Sequence, residues 1–259
     1  MNTSASAAGQ TLAALYNRAS KHSNYQVLAR RVQALLGEQG LSVVSRHERE
    51  RLAWIAQQVD FTDQQVVDIG GNTGFFSFEA LDLGAAKVTY CEGNAEHCAF
   101  VRQAAEMLGE QSRLQVRPGY VDFNGHWPGR VGVMLLLNVL HHIGDDYGDS
   151  NLAQERALEH VANTLRALAG NVSTLVFQLG FNWKGDRHLP LFSEGTKAQM
   201  IGFIEQVVAG YWEIQAIGVA QSLPTGGVEY AALSAQNLPR ADALGEFLNR
   251  PLFVLRSLR

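Results

Sequence analysis

One short stretch, Asp68-Ile69-Gly70-Gly71-Asn72-Thr73-Gly74, joins a carboxylate to a backbone that can approach a ligand closely. Glycine adopts positive φ without a Cβ penalty, and asparagine is among the few other residues that tolerate it. Glu92 follows Asp68 by 24 positions. A carboxylate there can accept from both hydroxyls of a ribose, each charge-assisted bond contributing about 1.5–3 kcal/mol, and it would repel a 2′-phosphate. The glycine spacing itself argues against a dinucleotide. A fingerprint begun at Gly70 needs glycine where Asn72 and Phe75 stand, and one begun at Gly71 needs it at Thr73 and Phe76.

A second group of reactive side chains lies further along. His141 and His142 close the apolar run Val131 to Leu140, which Asn138 interrupts. Imidazole titrates near pH 6.5, so either could take a proton from an acceptor, and an adjacent pair points to different sides. One of the two is expected in a pocket and the other in the packing. Asp145, Asp146 and Asp149 extend the pair into a metal-like set on paper. They read more simply as a polar loop before the next helix, so no metal is expected. Gln178-Leu179-Gly180-Phe181-Asn182-Trp183-Lys184 places aromatic rings at a strand tip. Trp183 could wall an acceptor there while Asn182 orients it. Ser20 to Gln26 forms a polar, aromatic-bearing cluster ahead of the first strongly amphipathic segment.

These residues need elements to hold them. Val66 to Ile69, Lys87 to Cys91, Arg113 to Arg117, Val131 to Leu137 and Thr174 to Leu179 read as strands. Trp212 to Val219 and Pro251 to Leu258 read as further ones, with another possible at Val228 to Leu233. Between them lie helical patterns, including Cys98-Val101-Ala105-Leu108 closed by Gly109 and Leu158-Val161-Leu165-Leu168. Ser45 with Glu48, and Thr196 with Gln199, stand in capping-box relation. Alternating strands and amphipathic helices imply right-handed crossovers and a doubly wound α/β architecture. The expected fold is a mostly parallel seven-stranded sheet, Rossmann-like, with residues 61–259 forming the α/β domain and residues 1–60 a helical cap on it. Ligands of such sheets bind beyond the carboxyl ends of the strands.

Composition bounds the reading. The 259 residues carry 21 basic and 25 acidic side chains, net −4, which speaks against nucleic acid as a partner. At 46% hydrophobic residues the chain should fold, and its apolar runs are too short to span a bilayer. Cys91 and Cys98 are the only cysteines, so no disulfide framework is expected. With no basic region before an apolar stretch in Met1 to Ser20, the expected location is cytoplasmic.

Asp68 with Gly70 to Gly74, Glu92, and Leu136-Leu137-Asn138-Val139-Leu140-His141-His142-Ile143 together resemble the class I S-adenosylmethionine-dependent methyltransferases. The resemblance covers roughly residues 60 to 182, and Asn72 departs from the usual middle glycine. It implies S-adenosyl-L-methionine as cofactor, its methionine part held by backbone at Gly70, Gly71, Asn72 and Gly74. Asp68 would reach the amino group and Glu92 the ribose. Adenine would lie near Asn94 and the Gly119 to Asp122 turn, with Asp122 a candidate contact and Asn138 beside the cofactor at the fourth strand. N-terminal helices cover the cofactor in this family, so His22 and Tyr25 would close over the site. The expected activity is methyl transfer to oxygen or nitrogen of a small molecule, with His141 or His142 as base. The alternatives are a tRNA-modifying methyl- or carboxymethyltransferase, a non-catalytic cofactor-binding domain and, third, a nicotinamide oxidoreductase.

Overall fold

The structure, a computed structural model, describes residues 3–18, 25–37, 41, 43–123 and 129–259, with side chains from residue 9 onward. In chain order its main elements are α1 (Thr3–Tyr16), α2 (Arg30–Leu36), α3 (Glu48–Gln58), β1 (Gln65–Ile69), α4 (Phe75–Asp82), β2 (Lys87–Glu92), α5 (Ala95–Leu108) and β3 (Leu114–Pro118). They continue with β4 (Val131–Leu137), α6 (Ala157–Leu168), β5 (Val172–Gln178), α7 (Lys197–Val208), β6 (Trp212–Ser222), β7 (Val228–Ala232), α8 (Gly245–Leu248) and β8 (Leu252–Ser257). The chain falls into two compact units, residues 1–48 with 61–120 and residues 49–60 with 121–259.

In the first unit β1, β2 and β3 are parallel neighbours, with Val66 opposite Val88 and Val88 opposite Leu114. All three side chains are buried, as expected of strands covered on both faces. α5 is capped by Asn94, whose side chain accepts from the Glu96 amide, and by Gly109 in the left-handed conformation. Its buried face, His97, Cys98, Phe100, Val101, Ala104 and Ala105, has the spacing that the sequence displays.

In the second unit β4 and β5 are parallel, but β5–β8, β8–β6 and β6–β7 are all antiparallel. The expectation of a mostly parallel seven-stranded sheet is corrected here. The described residues form eight strands, and half of the pairings within the units are antiparallel. β6 runs eleven residues and returns directly as β7 through the turn containing Gly226 and Gly227, both at φ 89°. β8 then pairs between β5 and β6. Its core residues Leu252 to Leu255 are an unbroken apolar run, which carries no sign of strand direction.

The two capping boxes form differently from their simplest reading. Thr196 Oγ accepts from the Gln199 amide at 3.2 Å, but the Gln199 side chain reaches back to Glu194 N at 2.8 Å. The Glu48 carboxylate accepts from Arg46 N, while Ser45 Oγ accepts from His47 N. Among the described residues no helix is long and apolar enough to cross a membrane.

Candidate active site

The turn after β1 is built by four constraints that act together. Gly70 and Gly71 donate to the Cys91 carbonyl at 2.8 and 3.4 Å, tying the turn to the end of β2. Gly70 sits at φ 67°, Asn72 at 50° and Gly74 at 81°, so asparagine occupies the middle position in the left-handed conformation it tolerates. Gly71 is required for a different reason. A Cβ there would lie 2.6 Å from the Tyr90 ring and 2.9 Å from the Asp68 carboxylate. Tyr90 is fully buried, and its hydroxyl donates to the Asn72 carbonyl, clamping the turn from beneath. Gln26 caps the start of α4, its side-chain oxygen accepting from Thr73 Oγ and from the Phe75 amide, each at 3.0 Å.

Glu92 closes this arrangement. One carboxylate oxygen accepts from the Asn72 amide at 2.9 Å and the other from the Asn94 amide at 2.8 Å. The glycine turn and the acidic end of β2 are therefore one structure, with Glu92 two residues before the N-cap of α5, a helix whose dipole favours negative charge there. The Tyr120 ring lies against Gly93, where a Cβ would come within 2.2 Å of it, and the ring is 63% exposed. Gln26, Tyr90 and Tyr120 are site residues that sequence reasoning missed as individuals. Gln26 lies in the polar cluster Ser20 to Gln26 and Tyr120 inside the Gly119 to Asp122 turn, so both fell within segments that the sequence marks, whereas Tyr90 reads only as a strand residue.

Asp68 is buried, and Ser77 Oγ donates to it at 2.7 Å. Burial pushes its pKa up to about 6, and the charge of Glu92 adds to this against the opposing Ser77 bonds. A carboxyl group whose pKa is raised on folding binds its proton more tightly in the native state. Its stabilising contribution is thus complete below about pH 4 and lost as pH rises through about 6. The apo protein should lose on the order of 2–3 kcal/mol across that window. Urea titrations of the wild type and of Asp68→Asn check this, the variant lacking that component of the pH dependence.

Cys91 and Cys98 are buried free thiols, driven up to about 12 and about 11 chiefly by burial. The Cys98 thiol donates to the Glu92 carbonyl at 3.3 Å. Tyr25 is 43% exposed beneath the Arg46 guanidinium, 4.9 Å from its ring centre. His22 lies outside the described residues.

In the second unit the ends of β4 and β5 carry a polar network. Asn138 stands at φ 61°, and its side-chain amide donates to Gln178 Oε1 at 2.9 Å while its oxygen accepts from Arg250 at 2.8 Å. Arg250 forks onto Glu246 at 3.0 and 2.7 Å, and Gln178 donates to the Arg250 carbonyl at 3.0 Å. The buried Arg51 reaches Gln178 Oε1 at 3.4 Å. Arg51, Glu246 and Arg250 gave no sequence signal, since Arg51 and Arg250 bond to residues 127 and 112 positions away and Glu246 lies on a four-residue helix.

The histidine pair divides. His141 is 1% exposed, accepts from the Gly180 amide at Nδ1 (3.2 Å) and lies flat against Gly180, where a Cβ would meet the ring at 2.6 Å. His142 is partly exposed, with Nδ1 3.4 Å from Asp146 and 4.0 Å from Asp145. These three ligand atoms lie within 4.8 Å of one another, a grouping that suits an imidazolium between two carboxylates. Trp183 is buried against Ile143 and Ala157, its indole N–H donating to the Ile143 carbonyl at 2.7 Å. Trp183 is thus part of a small apolar cluster at this end of the second unit. Asn182 is half-buried in a bridge to Pro190, and Asp122 is exposed after β3.

No protein-family model matches the chain. The histone-arginine methyltransferase CARMER of Drosophila erecta is 34% identical over 70 residues, 27% of this chain and 13% of that protein. Its Drosophila ananassae counterpart is 33% identical over the same length. The chain therefore spans only a small part of these relatives. Among solved structures, the bifunctional kinase-methyltransferase WbdD aligns over 95% of this chain and 46% of its own, with TM-score 0.60 and 15% identity. WbdD bound to the kinase inhibitor LY294002 gives the same TM-score at 18% identity, over 47% of that chain. With that shared fold, and with Asp68, the turn at Gly70 to Gly74 and Glu92 joined at the ends of β1 and β2, the chain resembles the class I S-adenosylmethionine-dependent methyltransferases.

Proposed function

We propose that the protein transfers a methyl group from S-adenosyl-L-methionine to an oxygen or nitrogen of a small-molecule acceptor. The observation that carries this reading is the clamp of Glu92 on the Asn72 and Asn94 amides, which holds a carboxylate beside the glycine turn. The residues fit the cofactor. Glu92 would hold the ribose hydroxyls, the Gly70 to Gly74 backbone the methionine part, and Tyr120 would stack on adenine. Asp68 would counter the amino group, through water where its burial requires. The cofactor supplies a sulfonium-bound methyl group and carries no phosphate, so a turn without the dinucleotide glycines suits it.

Positioning supplies most of the acceleration in such an in-line displacement. Where the acceptor must lose a proton, His142 is the group for it: its ring is the accessible one of the pair, and Asp146 beside it favours the imidazolium that forms. His141 acts as its packing support, with the two ring centres 4.3 Å apart. The net charge of −4 favours a small acceptor over a polyanion.

Calorimetry with S-adenosylmethionine, its demethylated product, NAD and NADP tests the cofactor. Binding of the first two and neither nicotinamide is expected, and the reverse would end this reading. Affinity for the donor should rise about tenfold per pH unit below about 6, where Asp68 is losing its proton, and level off above. Labelled donor supplied with a metabolite extract or with bulk tRNA tests the acceptor, label in the RNA alone counting against a small molecule.

A further inference from the structure

Every backbone amide of the turn from Gly70 to Gly74 is already donated within the protein. Gly70 and Gly71 donate to the Cys91 carbonyl, Asn72 to Glu92, Thr73 to the Asn72 side chain and Gly74 to the Gly71 carbonyl. The next amide, at Phe75, donates to Gln26 Oε1. What the turn still offers a ligand is carbonyl oxygen, which can accept from an ammonium and repels a carboxylate. The methionine part of the donor carries both groups on one carbon. Its ammonium is served by the turn carbonyls and by Asp68, but its carboxylate needs N–H donors from outside the turn.

Gln26 brings such donors to the turn. It is 8% exposed, and its side-chain oxygen is fixed by Thr73 Oγ and the Phe75 amide, each at 3.0 Å. A backbone N–H can only donate, so the corner of the carboxamide that faces Phe75 is the oxygen and the other corner is the NH₂. That NH₂ makes no hydrogen bond among the described residues, and it keeps accessible surface through which a ligand can reach it. Two N–H donors on a side chain more than nine-tenths buried thus stand beside the N-terminus of α4, whose dipole favours the same negative charge.

We propose that Gln26 Nε2 binds the carboxylate of the donor's methionine part, so that one side chain both caps α4 and recognises an intact amino acid. The oxygen holds the carboxamide in place through two bonds to the turn, and the nitrogen is thereby preset for the ligand. This rests on the methyltransferase reading above and adds the selectivity of its donor site: adenosyl compounds with a free carboxylate are held more tightly than those without one.

The test is calorimetry at about pH 8 on wild type and Gln26→Glu, with S-adenosylmethionine and its decarboxylated analogue as probes. The analogue keeps the sulfonium, the amino group and the adenosine. Gln26→Glu keeps an oxygen for Thr73 and Phe75 and puts a second carboxylate oxygen where the NH₂ stood. The wild type should bind S-adenosylmethionine roughly tenfold or more tighter than the analogue. The variant should lose roughly tenfold or more for S-adenosylmethionine and hold the analogue no more weakly than the wild type does. Should Gln26→Glu fail to fold, Gln26→Met, which lacks both polar groups at similar length, should lose the same preference between the two probes. A wild type that binds the two alike, or variants that keep the wild-type preference, overturns the assignment. Equal weakening for both probes leaves Gln26 the cap alone and overturns it too. A wild type that binds neither probe refutes the methyltransferase reading itself, and this assignment with it.

Discussion

Replacing Glu92 by alanine raises the dissociation constant for S-adenosylmethionine by roughly ten- to a hundredfold, the loss of one or two charge-assisted hydrogen bonds to the ribose. The clamp adds a second route to the same loss. Without the carboxylate, the Asn72 and Asn94 amides give up their partner, and the turn loses its tie to the end of β2 at that point. Glu92→Gln separates the two contributions. Its side chain has one acceptor oxygen and an NH₂ that cannot accept from a backbone amide, so one of the two clamping bonds must go. It should fall between wild type and Glu92→Ala in calorimetric titration. Unchanged affinity in the alanine variant would remove Glu92 from the cofactor site.

The largest stability effect is expected at Arg250. Its guanidinium forks onto Glu246 and also donates to Asn138, with its own side chain 11% exposed and that of Glu246 31%. Removing one member of such a pair leaves the partner charge without its counter-ion in partly desolvated surroundings. Partial exposure of Glu246 lets water screen some of the cost, so about 2–3 kcal/mol is expected for Arg250→Ala. For a chain of this length that is a fall of about 4–12 °C in the thermal midpoint. Arg250→Lys should recover only part, because an ammonium cannot engage both carboxylate oxygens and Asn138 in one planar fork. A midpoint within 1 °C of wild type for the alanine variant would show that the network adds nothing net; calorimetric melting measures it.

The local part of the site was readable because its constraints are local. Positive φ at Gly70, Asn72 and Gly74 follows from residue type within one five-residue turn, and an apolar run before it marks β1. Gly71 shows where such reading stops. Its φ asks for no glycine, and what forbids a side chain is the ring of Tyr90, nineteen positions later. The same limit applies to Gln26, whose cap on α4 acts across 49 positions.

By itself the sequence determined the alternation of strands and helices, the glycine turn, the acidic end of β2 and the absence of a dinucleotide spacing, because each depends on near neighbours and on hydrophobic period. Tertiary structure alone decided the antiparallel place of β8, the burial of His141 and Trp183, and the Arg250 network. Strand direction and side-chain company depend on contacts between residues far apart along the chain, and neither period nor residue type encodes them.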